Sequence, residues 1–168
     1  MVSERVRTMR KLIAASVLAA VSGCGAGFFP LRAGVYSGEL ACSGQLTDDM
    51  GMMSELDFDQ RLELTVEPSG VFRIDGVELA IGSRVLRSIP TAELEFEITD
   101  IQRPRMSVTV IYEPRPTLPG ITVEGNLVES FRWDRESIIA ASHAQLLVTD
   151  ISQTVTLLGE CHGQLDRR

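Results

Sequence analysis

The side chains able to do chemistry are few. Cysteine occurs at Cys24, Cys42 and Cys161, histidine at His143 and His162, and Lys11 is the only lysine. The segment LTDDMGMMSELDFD concentrates acids and thioethers. Asp48, Asp49, Glu55, Asp57 and Asp59 offer oxygens of the kind Ca²⁺ takes, though not at EF-hand spacing. Met50, Met52 and Met53 offer soft sulfur ligands of the kind that selects Cu(I). An acidic hairpin loop whose methionines pack over the mouth of the fold accounts for the same residues. We adopt that reading and assign neither metal nor cofactor.

His162 adjoins Cys161, but in a strand neighbouring side chains point to opposite faces, so the two do not form a ligand pair. The chain contains no G-x-S-x-G, H-E-x-x-H, P-loop or G-x-G-x-x-G. With two histidines and no lysine beyond residue 11, most acid–base and covalent schemes lack their parts. A carboxylate-pair hydrolase is the one enzymatic scheme for which residues exist, and it ranks third among the functions considered. Glu93, Glu95 and Glu97 form an acidic stripe on one strand face, read as a solvated face that discourages edge pairing rather than a strip for a basic partner.

Cys24 stands apart from the other two. Arg5, Arg7, Arg10 and Lys11 are followed by an apolar run from Leu12 to Val21 and then by small residues. This is signal-peptide layout, and the run is too short to anchor stably across roughly 30 Å of hydrocarbon. Met9 offers an alternative start. Val21-Ser22-Gly23-Cys24 resembles the lipobox of bacterial lipoproteins: an aliphatic residue, two small ones, then cysteine. The resemblance implies that residues 1–23 are a leader, that the Cys24 thiol takes a diacylglycerol, and that the new amine is acylated. Several acyl chains, at ~0.8 kcal/mol per buried CH₂, make a durable anchor where one does not. By that family's sorting rule, Gly25 in place of Asp directs the protein to the outer membrane of a two-membrane cell.

Loss of residues 1–23 removes four basic residues and one acid, leaving 12 basic against 22 acidic residues, net −10. That balance excludes nucleic acid as a partner and excludes electrostatic docking on anionic lipid. The expected attachments are the membrane, through the N-terminal lipid, and either another envelope protein or a small apolar ligand. Cys42 and Cys161 remain as one pair, which an oxidising envelope would join.

These residues sit in a chain with a period of two. After a tether over residues 24–33, GVYSGELACSGQL places Tyr36, Leu40, Cys42 and Leu46 on one face. DFDQRLELTV alternates Phe58, Leu62, Leu64 and Val66 with charged and polar residues. A turn at Pro68–Gly70 and the hairpin signal Asp75-Gly76 bound two short strands, Val71–Ile74 and Val77–Ile81. Gly82–Pro90 reads as irregular. TAELEFEITDI and MSVTVIY alternate, and EPRPTLPG, with its prolines, reads as a loop. Ile121–Trp133 alternates through Val123, Leu127, Phe131 and Trp133. Ser137–Val148 is ambiguous between helix and strand and is taken as strand, followed by TVTLLGECHG.

The expectation is therefore one all-β domain over residues 34–168: an antiparallel meander, closed as a barrel in preference to a sandwich. Gly34-Val35-Tyr36 resembles the G-x-W opening of calycin barrels such as lipocalins, with Tyr36 in the tryptophan's place. Cys42 falls on the inner face of the first strand and Cys161 on that of the last. An even-stranded closed barrel makes these strands antiparallel neighbours, and the bond is expected to close the sheet and protect its edges. For the whole we expect a lipid-anchored, non-enzymatic envelope protein with a binding or structural role, the alternative being a carrier of a small apolar ligand in the barrel.

Overall fold

The computed structural model describes residues 31–89, 92–115, 119–134 and 136–168; Cys24 and the rest of the leader and tether up to residue 30 lie outside them. The described chain is all β, ten strands and no helix: β1 (Gly34–Asp48), β2 (Met53–Val66), β3 (Phe72–Ile74), β4 (Val77–Glu78), β5 (Arg84–Ile89), β6 (Ala92–Gln102), β7 (Ser107–Arg115), β8 (Thr122–Trp133), β9 (Ser137–Thr149) and β10 (Thr154–Arg167). All belong to one antiparallel sheet in the order β4-β3-β2-β1-β10-β9-β8-β7-β6-β5, coiled into a nearly closed barrel. The ambiguous Ser137–Val148 segment is strand, and the alternating residues turn their apolar members inward, as the period of two requires.

The inner face is densely filled towards the end where the chain enters. Tyr36, Leu64, Ile74, Ile98, Val110 and Tyr112 are without solvent exposure. At the rim of that end the rings of Phe72 and Trp133 lie 5.8 Å apart, and the Arg103 guanidinium sits 5.7 Å from the Phe72 ring. The start of the described segment and the end of β10 are tied down there. Tyr36 donates its hydroxyl hydrogen to the Arg32 carbonyl at 2.8 Å, and Arg167 donates to the Ala33 carbonyl at 2.9 Å.

The opposite end, marked by the β1–β2 hairpin, carries small inner residues: Gly44, Gly125, Ser142, Ala144 and Gly159. Gly125 shows why size is restricted. Its φ is +119°, and a Cβ there would lie 2.0 Å from the Gln145 carbonyl oxygen across the ladder.

Cys42 and Cys161 are bonded, with Cα atoms 4.0 Å apart and directly opposite in the β1–β10 register. The first and last strands are neighbours and antiparallel, as an even count demands. The disulfide does not, however, close the sheet or protect its edges. β1 and β10 stand in the middle of the strand order, and the edges are β4 and β5. The physical reason is that β3 and β4 continue outward from β2, so the meander's two exposed sides fall between its fourth and fifth strands.

Two further expectations fail for identifiable reasons. Gly82–Pro90 is not irregular: Arg84–Ile89 forms β5, paired with β6 from Arg84↔Glu97 to Ile89↔Ala92. Its inner face carries Val85 and then Arg87, and the charge hid the alternation. EPRPTLPG is not wholly a loop, because Glu113–Arg115 remains in β7 opposite Glu95–Glu97. β8 stops pairing with β7 at Tyr112↔Leu127, so Pro114 lies where β7 has a neighbour on one side only, a position that tolerates a missing N–H.

Candidate functional site

β5, β7 and β8 each send one polar side chain into the barrel, and the β3–β4 turn meets them with a fourth at the seam. Arg87 donates through Nε and Nη2 to the two carboxylate oxygens of Glu129 at 2.9 and 3.0 Å. Its Nη1 reaches Asp75 Oδ2 at 2.8 Å and the Leu86 carbonyl at 3.2 Å. Tyr112 donates its hydroxyl hydrogen to Glu129 Oε2 at 2.5 Å, and its ring lies 5.9 Å from the Arg87 guanidinium. Asp75 Oδ1 accepts the Glu63 N–H at 3.0 Å. The Arg87 and Glu129 side chains are each 5% exposed, whereas that of Asp75 is 41% exposed at the seam. No buried side-chain nitrogen or oxygen among the described residues is left without a partner.

This network ties β5, at one edge of the sheet, to the β3–β4 turn at the other and to β8 between them. Bidentate geometry and planar charge suit arginine rather than lysine to that task. Burial alone would pull the Arg87 guanidinium down, but Glu129, with Tyr112 and Asp75, more than offsets this and holds it above its ordinary value. Burial raises the Asp75 carboxyl, against the opposing pull of Arg87. Tyr112 is pushed well above its ordinary value, first by burial and then by the Glu129 charge.

The tyrosine shift carries a sign that can be tested. The unfolded chain ionises Tyr112 near 10.0 while the fold keeps it protonated at higher pH. Its contribution to stability is thus fully present below pH ~10 and is lost as pH rises beyond it. Tyr112→Phe is expected to flatten that alkaline decline and to cost about 1–2 kcal/mol at neutral pH, through the lost hydrogen bond to Glu129. Urea titrations at neutral pH and near pH ~11 check both; an unaltered alkaline slope would contradict the assignment.

Beside the network lies a cavity of about 60 Å³ with Leu56, Phe58, Phe96, Leu127, Leu146 and Leu157 in its wall and Arg87 and Glu129 also bordering it. Leu56, Phe58 and Gln60 point to the inner face of β2 yet are only half-buried. The cause is a gap in the wall. β2 pairs with β3 only over Leu64–Val66, and among the described residues nothing pairs with its remaining length on that side. β5, the other edge, pairs only with β6.

The residues singled out from the sequence are scattered around this site rather than in it. Met50, Met52 and Met53 are 87%, 69% and 70% exposed, so they do not pack over the barrel mouth. The hairpin carries them to a place where, among the described residues, no side chain covers them. Asp48 caps this turn, its Oδ1 accepting the N–H groups of Met50 and Met52 at 3.0 and 2.8 Å. Among the described residues no group of three or more His, Cys, Asp or Glu side chains is arranged to hold a metal ion. His162 is exposed near Glu160 at 3.8 Å, on the face opposite Cys161, and His143 is exposed too.

The acidic stripe is partly neutralised by its neighbours. Arg84 lies 3.9 Å from both Glu95 and Glu97, and Arg115 pairs with Glu97. Arg87, Glu129 and Asp75 were missed by sequence reasoning. One signal was present: Glu129 stands in phase with Leu127 and Phe131, which puts a carboxylate on the inner face. Comparison with protein-family models, curated proteins and solved structures finds no match to the chain.

Proposed function

We propose that the protein is a lipid-anchored, non-enzymatic module of the bacterial cell envelope that binds partners through its wall and surface rather than carrying cargo in its lumen. The observation that supports this reading is the filled interior. A cavity of about 60 Å³ is small against the several hundred Å³ that enclose a typical small-molecule ligand. Arg87, Glu129 and Tyr112 are hydrogen-bonded to one another inside the barrel, which supports a structural role for these three buried groups. Attachment rests on the lipobox at residues 21–24 and on Cys24 as the acylated residue. Leu31 follows Cys24 by seven positions, so the barrel would ride within roughly 25 Å of the bilayer, with its Trp133 end towards the lipid and its β1–β2 hairpin away from it.

Intact-mass measurement on protein extracted from membranes tests both halves. The expected species begins at Cys24, carries covalent acyl chains and retains no stoichiometric free lipid. Cys24→Ser is expected to remain uncleaved and to lose acyl labelling. One molecule of lipid held non-covalently per barrel would support the carrier instead. Normal cleavage without acylation would end the anchor.

A further inference from the structure

We propose that the gap between β2 and β5 is a docking slot for an extended segment of a partner protein, which adds as a strand to the free edge of β2 and presents basic residues outward. The proposal rests on the reading of this protein as a module that binds through its wall, and it identifies where.

The free edge can be followed residue by residue. Glu63 turns both its N–H and its C=O away from β1, the first to Asp75 Oδ1 and the second to the Asp75 N–H. In a strand these directions alternate, so the backbone groups of Arg61, Asp59, Asp57 and Glu55 face the same way. β3 ends before it reaches them, and no described backbone group bonds to them from that side. Asp75 thus stands where the next strand residue would be, and below it the edge is open.

The slot has two faces of different chemistry. Inward, Leu56 and Phe58 are half-buried above the apolar cavity, which aliphatic side chains at every second position of an added strand would cover. Outward, Glu55, Asp57 and Asp59 lie exposed on three successive outer positions of the edge. No salt bridge among the described residues engages these three carboxylates, unlike the stripe on β6. Opposite charges on directly facing strand residues attract, and like charges repel. The edge therefore selects a segment with Lys or Arg facing residues 55, 57 and 59, the preference ending at the exposed Arg61 on the next outer position. It also disfavours a second copy of this chain, because paired β2 edges would bring the same three acids together. On β5 the Leu86 carbonyl already accepts a hydrogen bond from Arg87, so the proposal places the pairing on β2.

The probe is a labelled, capped ten-residue peptide of alternating valine and arginine, compared with its valine–glutamate counterpart, added to the full-length protein in detergent. The basic peptide is expected to bind saturably and to slow amide exchange at Asp57 and Asp59. Asp59→Pro removes one slot-facing N–H without touching the β1 ladder, and should weaken binding roughly tenfold relative to Asp59→Ala, which loses the carboxylate alone. Asp57→Arg with Asp59→Arg should reverse the preference between the two peptides, and this variant carries the test if the proline variant does not fold. Binding of neither peptide overturns the proposal, as does binding indifferent to Asp59→Pro, which would indicate attraction to the outer surface alone. A concentration-dependent dimer abolished by Asp59→Pro overturns it in favour of a second copy. Any of these results in protein whose Cys24 is acylated leaves the envelope assignment standing.

Discussion

Arg87→Met is expected to lower the stability of the protein by about 3–5 kcal/mol, the largest effect of any single substitution considered. The reason is what remains behind. Glu129 would keep its carboxylate in the barrel, 5% exposed, with the Tyr112 hydroxyl still donating to it but no counter-charge beside it. A buried charge without its counter-charge costs far more than the pair contributes when intact. The companion variant separates these quantities. Arg87→Met with Glu129→Leu and Tyr112→Phe removes both charges together with the hydroxyl that Glu129 satisfied and fills the space with apolar atoms, so most of the loss should be regained. Urea unfolding followed by circular dichroism provides both numbers. A loss below about 1 kcal/mol in the single variant would mean that the pair is far better hydrated than its burial indicates.

The partly exposed member of the network behaves differently. Asp75 has its carboxyl raised, mainly by burial, so the fold holds its proton more tightly than the unfolded chain does. The sign follows: its contribution declines as pH rises from the ordinary carboxylate range through the raised value. Glu67, Asp134 and Asp150 run the other way. Arg73 and Ser69 lower Glu67, while turn hydrogen bonds lower the two aspartates, and what they contribute is lost on acidification. All three carboxylates lie at the surface, so what each contributes is weak and screened.

Loss of the Cys42–Cys161 bond ranks beside the Arg87 substitution. The bond closes 119 residues of chain, which on the chain-entropy argument constrains the unfolded state by about 4–5 kcal/mol. Its site in the fold affects how that loss is read. β1 and β10 are joined by an antiparallel ladder running from Tyr36↔Arg167 to Asp48↔Val155, so the native sheet does not depend on the sulfurs for its pairing. The paired variant Cys42→Ser, Cys161→Ser should therefore keep the β spectrum of the native protein while its urea midpoint falls sharply. Its m value should rise, because the uncrosslinked chain exposes more surface. An unmoved midpoint would show that the oxidised unfolded chain is no more restricted than the reduced one.

How much of this was legible beforehand depended on whether a feature was local in the chain. Alternation is local. Leu94, Phe96 and Ile98 declare one face of β6 with no knowledge of any other strand, and the same holds for Leu62, Leu64 and Val66 in β2. The Cys42–Cys161 pairing could be read because two cysteines on the inner faces of the first and last strands of a meander have one partner each. The β5 strand could not be read, since an inward arginine breaks the apolar pattern that marks a strand. Nor could the exposure of Met50, Met52 and Met53, because how far a hairpin runs past its barrel depends on the coiling of every other strand.

By itself the sequence determined an all-β meander, the inner and outer face of most strands, the one disulfide pairing and an acidic surface, each written in residues one or two positions apart or in cysteine number alone. Only the tertiary structure decided where the wall stays open and which charges meet inside it. Arg87 and Glu129 lie 42 residues apart, and Asp75 comes from a turn that reads as nothing more than a turn. What joins them is the coiling of one sheet until its two edges face each other, and that coiling is a sum over all ten strands that no short stretch of chain encodes.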